Sequence, residues 1–265
     1  MNNVALALLM SLVAGLSTGI GGLIAVLVGT TNRKFLAISL GFSAGVMIYI
    51  SFVEILHEAE ELLVADLGGT TGLAVAVVAF FAGMAIAGVI DKVIPEEIGL
   101  RLSHQSDDQN ENADNESLMR TGLVTAAAVT AHNFPEGVVT FIAALHDPVL
   151  AVPIVFAIAL HNIPEGMSVS APIYFATGSR AKALLYSFAS GLAEPLGALA
   201  AYFVLMPFLN DVLFGIVFAM TAGIMVFIAF DELLPSARKY GDHHLSLYGL
   251  IAGMAVMAVS LIFLG

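Results

Sequence analysis

The run VALALLMSLVAGLSTGIGGLIAVLVG (residues 4–29) contains 26 residues and not one charge. An α-helix rises 1.5 Å per residue, so about 20 such residues cross roughly 30 Å of hydrocarbon, and this run is long enough to span a membrane. Seven more apolar runs follow, near 35–59, 71–94, 120–145, 149–176, 181–209, 212–235 and 245–264. Together they predict an all-α, polytopic membrane protein with eight transmembrane helices in one domain over residues 1–265.

Composition points the same way. Of 265 residues, 59% are apolar and 11% are charged, against about 25% charged in soluble domains. Met1-Asn2-Asn3 carries no Lys or Arg, so the first run reads as a retained span rather than a cleaved signal. Cys is absent, which removes disulfides and thiolate metal sites and leaves His, carboxylate, amide or Met as ligands. The net charge of −12 argues against nucleic acid as a partner and for cations.

The nine basic residues orient the chain. Arg33 and Lys34 follow span 1; Lys92, Arg101 and Arg120 surround the 3–4 loop; Arg180 and Lys182 follow span 5; Arg238 and Lys239 follow span 7. The loops on the other side have none. The positive-inside rule therefore makes the odd-to-even loops cytoplasmic and puts both termini outside the cytoplasm, in an inner (plasma) membrane. The stretch 96–119, with Glu96, Glu97, Asp107, Asp108, Glu111, Asp114 and Glu116, reads as a mobile acidic cytoplasmic loop.

Span 2 and span 7 share a pattern. AGVMIYISFVEILHEA (44–59) lies over AGIMVFIAFDELLPSA (222–237) without a gap, with eight of sixteen positions identical, Glu54 and Glu232 included. Because span 2 runs outward and span 7 inward, spans 1–3 and 6–8 are expected to form an inverted repeat around a central pair, spans 4 and 5. Such repeats imply alternating access to a site at mid-membrane.

The polar residues sit where that site should be. Spans 4 and 5 carry HNFPEG (132–137) and HNIPEG (161–166). His132 and Glu136 are four residues apart, as are His161 and Glu165, so each pair shares a helix face; Asn133 and Asn162 can join it. Imidazole, carboxylate and amide oxygen suit first-row divalent metals. Pro135 and Pro164 each remove a helical hydrogen bond. Glu194, in GLAEPLG (191–197), adds a third carboxylate. On the insertion scale an acidic residue at mid-span costs up to about 3 kcal/mol, roughly 9 for three, and no Lys or Arg lies in that layer. A divalent cation is the natural counter-charge.

The paired motifs and GLAEPLG resemble the ZIP (Zrt/Irt-like) metal transporters, in their bacterial GufA-like branch, and the resemblance covers essentially the whole chain. It implies uptake of divalent metal, zinc first and also iron(II), manganese, cobalt or cadmium, as substrate rather than cofactor. It further implies a binuclear centre. One metal would be held by His132, Glu136, His161 and Glu165, with the two glutamates bridging, and the second by Asn133, Glu136, Asn162, Glu165 and Glu194. Some relatives have an acidic residue where Asn162 stands, so the second position here is less negative. The partners implied are metal ions and lipid, with a homodimer as the assembly left open.

Glu54 and His57, one turn apart near the outer end of span 2, are expected to gather metal at an entrance. Asp231 and Glu232, with His243 and His244 beyond them, are the matching candidates for an exit. A competing class is an intramembrane zinc hydrolase, which would use HExxH with the Glu as base; the chain has no such motif. Metal efflux would use the same ligands in the opposite direction.

Overall fold

A computed structural model describes residues 3–28, 33–93, 111–208, 210–240 and 243–264; the side chains of several residues within these helices, His132 and Glu232 among them, lie outside the described part. The described residues form eight helical rods. Helix α1 is Asn3–Val28. Helix α2 runs as Arg33–Ile50, a π-helical turn Ser51–Ile55, and Leu56–Leu67. Then come α3, Gly69–Val93; α4, Glu111–His146; and α5, Pro148–Thr177. Helix α6 is Arg180–Gly191 and Ala193–Ala200, closing in a π turn Ala201–Leu205 and a 3-10 turn Met206–Phe208. Helix α7 is Asp211–Ile228, a π turn Ala229–Leu233, and Leu234–Tyr240, and α8 is His243–Leu264.

The polar breaks between runs act as helix caps. Asp147 accepts from Val149 N at 2.8 Å ahead of α5, and Pro148 opens that helix. Asn210 accepts from Leu213 N at 2.8 Å ahead of α7, and Ser179 accepts from Lys182 N at 3.3 Å ahead of α6. These side chains take up backbone donors that a helix start leaves bare. Gly178 ends α5 with φ 63°, the left-handed conformation that glycine reaches without strain.

Seven rods are long and apolar enough to cross a membrane; among the described residues α4 is not one of them. The expectation of eight spans is met in helix number but not in apolar length. The reason lies in the sequence of α4, which opens on ENADNES (111–117) and carries Thr125, Thr130, His132, Asn133 and Glu136 farther along. Helix α4 packs against α1, α5 and α6, so those helices, rather than lipid, can surround its polar residues. Of the expected 96–119 loop, residues 111–119 are helical, the start of α4; residues 94–110 lie outside the described part. Glu111, Ala113, Glu116 and Met119 are good helix formers.

Outward-facing side chains are apolar. Val78, Phe203, Ile262 and Phe263 are 69%, 71%, 78% and 80% exposed, which suits a lipid solvent and would be costly in water.

Two helix crossings repeat each other. Helix α2 packs on α8, and α3 packs on α7. A methyl group on Gly45 would collide with the Leu250 carbonyl oxygen, and one on Gly253 with that of Phe42. In the other crossing Gly223 meets the Phe80 carbonyl and Gly83 that of Met220. Small residues thus let backbones touch, the source of helix association in a solvent as apolar as the side chains. Gly45 and Gly223 are equivalent positions of the two matched segments. The π turns at Ser51–Ile55 and Ala229–Leu233 fall at the same register. Helices α1, α4, α5 and α6 form the other group, joined to α2 through Ser43, whose hydroxyl donates to the His161 carbonyl at 3.1 Å.

Candidate metal site

Both six-residue motifs lie inside continuous helices, with Pro135 within α4 and Pro164 within α5. Each motif ends in a glycine that lets a third helix approach. A methyl group at Gly137 would strike the Glu194 carbonyl oxygen of α6, and one at Gly166 the Thr18 carbonyl oxygen of α1. The motifs therefore bring α6 and α1 against α4 and α5 at the level of the polar residues.

In that layer Asn133, His161, Asn162, Glu165 and Glu194 are fully buried and Glu136 is 1% exposed. His161 Nε2 lies 3.2 Å from Glu136 Oε1, linking α5 to α4. Asn162 donates through Nδ2 to Glu194 Oε1, linking α5 to α6, and to the Ala14 carbonyl of α1 at 3.1 Å. Asn133 donates to the Ser190 carbonyl of α6 at 3.3 Å. Both amide NH2 groups thus point at protein acceptors, and the amide oxygens are left over.

Those oxygens have company. Asn133 Oδ1, Asn162 Oδ1, Glu136 Oε2 and Glu194 Oε2 are all buried without a hydrogen-bond partner. Leaving a buried acceptor unsatisfied costs about 1–3 kcal/mol, and more for a charged group. Glu136, Glu165 and Glu194 are buried in a layer where the sequence offers no Lys or Arg. An environment of bare acceptors and carboxylates favours a cation or protons over any anion or apolar ligand.

Six of the seven expected ligands are described in full, and the pairs His161–Glu136 and Asn162–Glu194 tie four of them together across helices. The His132 side chain lies outside the described residues. Among the described residues no three His or acidic side chains already converge on one point as a metal ion would need. Within the layer Glu136 Oε1 is directed at His161, and Glu194 Oε1 accepts from Asn162. Reading the sequence missed the backbone acceptors Ala14 and Ser190 and the hydroxyl of Ser43, since no residue-type pattern marks a carbonyl.

The entrance and exit candidates stand on helix ends. Glu54 is half-buried in the π turn of α2, and His57 Nε2 bonds Glu61 Oε1 at 3.3 Å on the exposed helix end beyond it. Asp231 is exposed in the π turn of α7; the Glu232 side chain lies outside the described residues. His243 and His244 are exposed at the start of α8 with ring centroids 5.6 Å apart.

Residues 96–261, which hold both motifs and GLAEPLG, match the sequence profile of the family described as ZIP Zinc transporter. This chain belongs to that family. The ZIP assignment extends beyond the matched region, because full-length relatives are similar from end to end. The protein called Zinc transporter ZupT of Oceanobacillus iheyensis is 55% identical over 267 residues, covering 100% of both chains. That of Clostridium perfringens is 53% identical over 276 residues, covering 99% of this chain and 97% of its own. That of Streptococcus mutans is 52% identical over 256 residues, covering 97% and 96%. As a ZIP member the chain is a multi-pass membrane transporter and not an enzyme, so the hydrolase alternative falls away.

Proposed function

We propose that the chain carries divalent transition-metal ions, zinc foremost, across the cytoplasmic membrane into the cytoplasm through a binuclear site between α4, α5 and α6. One observation carries this reading: four buried, unpartnered acceptor oxygens stand among three buried carboxylates, in a layer where the sequence offers no Lys or Arg. Relatives called zinc transporters favour zinc as the ion. In this reading His132, His161, Glu136 and Glu165 hold one ion. Asn133, Asn162 and Glu194 join the shared glutamates around the second.

The route follows from the two halves of the chain. The repeated glycine crossings and the paired π turns support an inverted repeat, which supplies two related conformations for alternating access. The placing of all nine basic residues supports cytoplasmic odd-to-even loops and external termini. Glu54 and His57 then receive the ion outside, and Asp231, Glu232, His243 and His244 meet it inside.

The test is uptake of zinc into proteoliposomes containing the purified chain, beside a Glu136→Ala variant. Zinc accumulation by the wild type and its loss in the variant are expected. Wild-type vesicles that take up no divalent metal, or a variant equal to wild type, would sink the proposal.

A further inference from the structure

Thr18 lies in GLSTGIG (15–21), which matches GLAEPLG (191–197) at both ends and sets Thr18 where the other stretch has Glu194. The surroundings of the two stretches match at the same register. Gly15 meets the Gly191 carbonyl and Gly191 that of Gly15. Gly21 meets the carbonyl of Ile163 in one motif, as Gly197 meets that of Phe134 in the other. Asn162 donates to the Ala14 carbonyl just before Gly15, as Asn133 donates to the Ser190 carbonyl just before Gly191. Thr18 and Glu194 therefore occupy equivalent positions on α1 and α6.

The Thr18 side chain is fully buried and its hydroxyl has no hydrogen-bond partner. A helical threonine ordinarily bonds the carbonyl four residues back. Here that carbonyl is Ala14, which already accepts from Asn162 Nδ2 at 3.1 Å and from Ser17 Oγ at 2.5 Å. With the Thr18 backbone N–H, the ordinary helical donor to that carbonyl, Ala14 O already faces three donors and has no lone pair left for the Thr18 hydroxyl. The repeat relates the bonded pair Asn162–Glu194 to Asn133 and Thr18, and both Asn133 Oδ1 and Thr18 Oγ1 lack a partner. Two buried, unpartnered oxygens at the repeat's equivalents of the bonded Asn162–Glu194 pair are what a cation, or water on a cation, would satisfy.

We propose that the Thr18 hydroxyl is a further oxygen ligand for the transported ion at its second position, as the α1 counterpart of Glu194. The proposal rests on the metal-site reading above. It makes the second position lopsided in charge, with a carboxylate on α6 and a neutral hydroxyl on α1. It also makes Thr18 a selectivity residue, since a hydroxyl oxygen favours hard ions such as manganese(II) over soft ions such as cadmium(II).

The test uses the purified full-length chain, with binding of manganese(II) and cadmium(II) and the melting temperature of metal-stripped protein measured for wild type, Thr18→Val, Thr18→Ser and Glu136→Gln. Thr18→Val should lower manganese affinity by roughly threefold to tenfold, the loss of one neutral oxygen, with little change for cadmium. Its melting temperature without metal should hold or rise, because an unpartnered buried hydroxyl has been replaced by a methyl group. Thr18→Ser should behave as wild type. An unchanged manganese-to-cadmium ratio in Thr18→Val overturns the proposal, as does a loss for both ions together with a lower melting temperature. If Glu136→Gln binds metal normally, the metal site itself is misassigned; if only Glu136→Gln fails, the site stands and Thr18 has no part in it.

Discussion

His161 Nε2 and Glu136 Oε1 stand 3.2 Å apart in a fully buried contact that joins the first residue of one motif to the fifth residue of the other. A hydrogen bond between them needs one proton. A divalent ion held by the same two atoms needs that proton gone, so the pair is a place where proton and metal exclude each other. The contact also ties α4 to α5 at the level of the two motifs.

The shared carboxylates should be the least replaceable residues. Glu136→Ala and Glu165→Ala should each lower zinc uptake by more than about a hundredfold, since even partners one shell removed from a metal cost 10- to 100-fold. Glu194→Gln and Asn162→Ala touch the second position alone and should cost less. Uptake per molecule of folded protein, quantified in vesicles, separates the cases. Equal losses in all four variants would point to one collective site in place of two positions.

The glycine crossings should be intolerant of bulk. Gly45→Leu and Gly223→Leu would each drive a side chain into a backbone carbonyl. Overpacking of this kind costs about 1–3 kcal/mol or more, because a carbonyl cannot move as a flexible side chain can. Gly69→Ala is the matched control, since open space surrounds that position. Thermal melting in detergent should show large, similar losses for the first two and none for the third. A stable Gly223→Leu would mean that α3 and α7 do not cross as described.

Much of this arrangement was legible in the residues themselves. Long apolar runs mark the helices, and the structure adds Gly178, Asp147 and Asn210 at their ends, because chain reversal and capping depend on local chemistry. Six of the seven expected ligands lie buried in one layer, since a motif repeated on two adjacent helices leaves little freedom. Eight helices form as the sequence predicts; among the described residues α4 falls short in apolar length because a helix enclosed by α1, α5 and α6 need not satisfy a lipid-facing criterion. The roles of Ala14 and Ser190 were invisible, because they act through carbonyls that every residue has. Thr18 was recoverable in principle, from the match of GLSTGIG to GLAEPLG, but that match is short and its decisive position pairs a hydroxyl with a carboxylate.

Orientation can be read directly because the chain has no Cys of its own. Thr70, exposed at the start of α3, and Ser179, capping α6, lie on opposite faces if the basic loops are cytoplasmic. In intact cells Thr70→Cys should react with an impermeant thiol reagent, while Ser179→Cys should be protected until the cells are opened. The reverse pattern would invert the chain and turn uptake into efflux through the same ligands.

The His161–Glu136 contact sets the expected response to acid. Metal binding requires ionised carboxylates and imidazoles with a free coordinating nitrogen, so protons compete at every ligand. As pH falls, the protonated fraction of these coupled groups grows and apparent metal affinity must fall; the sign is fixed by mass action. His161→Gln removes one proton-binding site yet keeps a neutral oxygen at a similar distance from the backbone. That variant should still bind zinc, more weakly at neutral pH, and its affinity should decline less steeply between roughly pH 5 and 8, a window that brackets the reference histidine value of about 6.5. Zinc titrations of detergent-solubilised wild type and His161→Gln across that window decide the matter. Parallel slopes would remove His161 from the competition and leave the carboxylates or His132 as the seat of acid sensitivity.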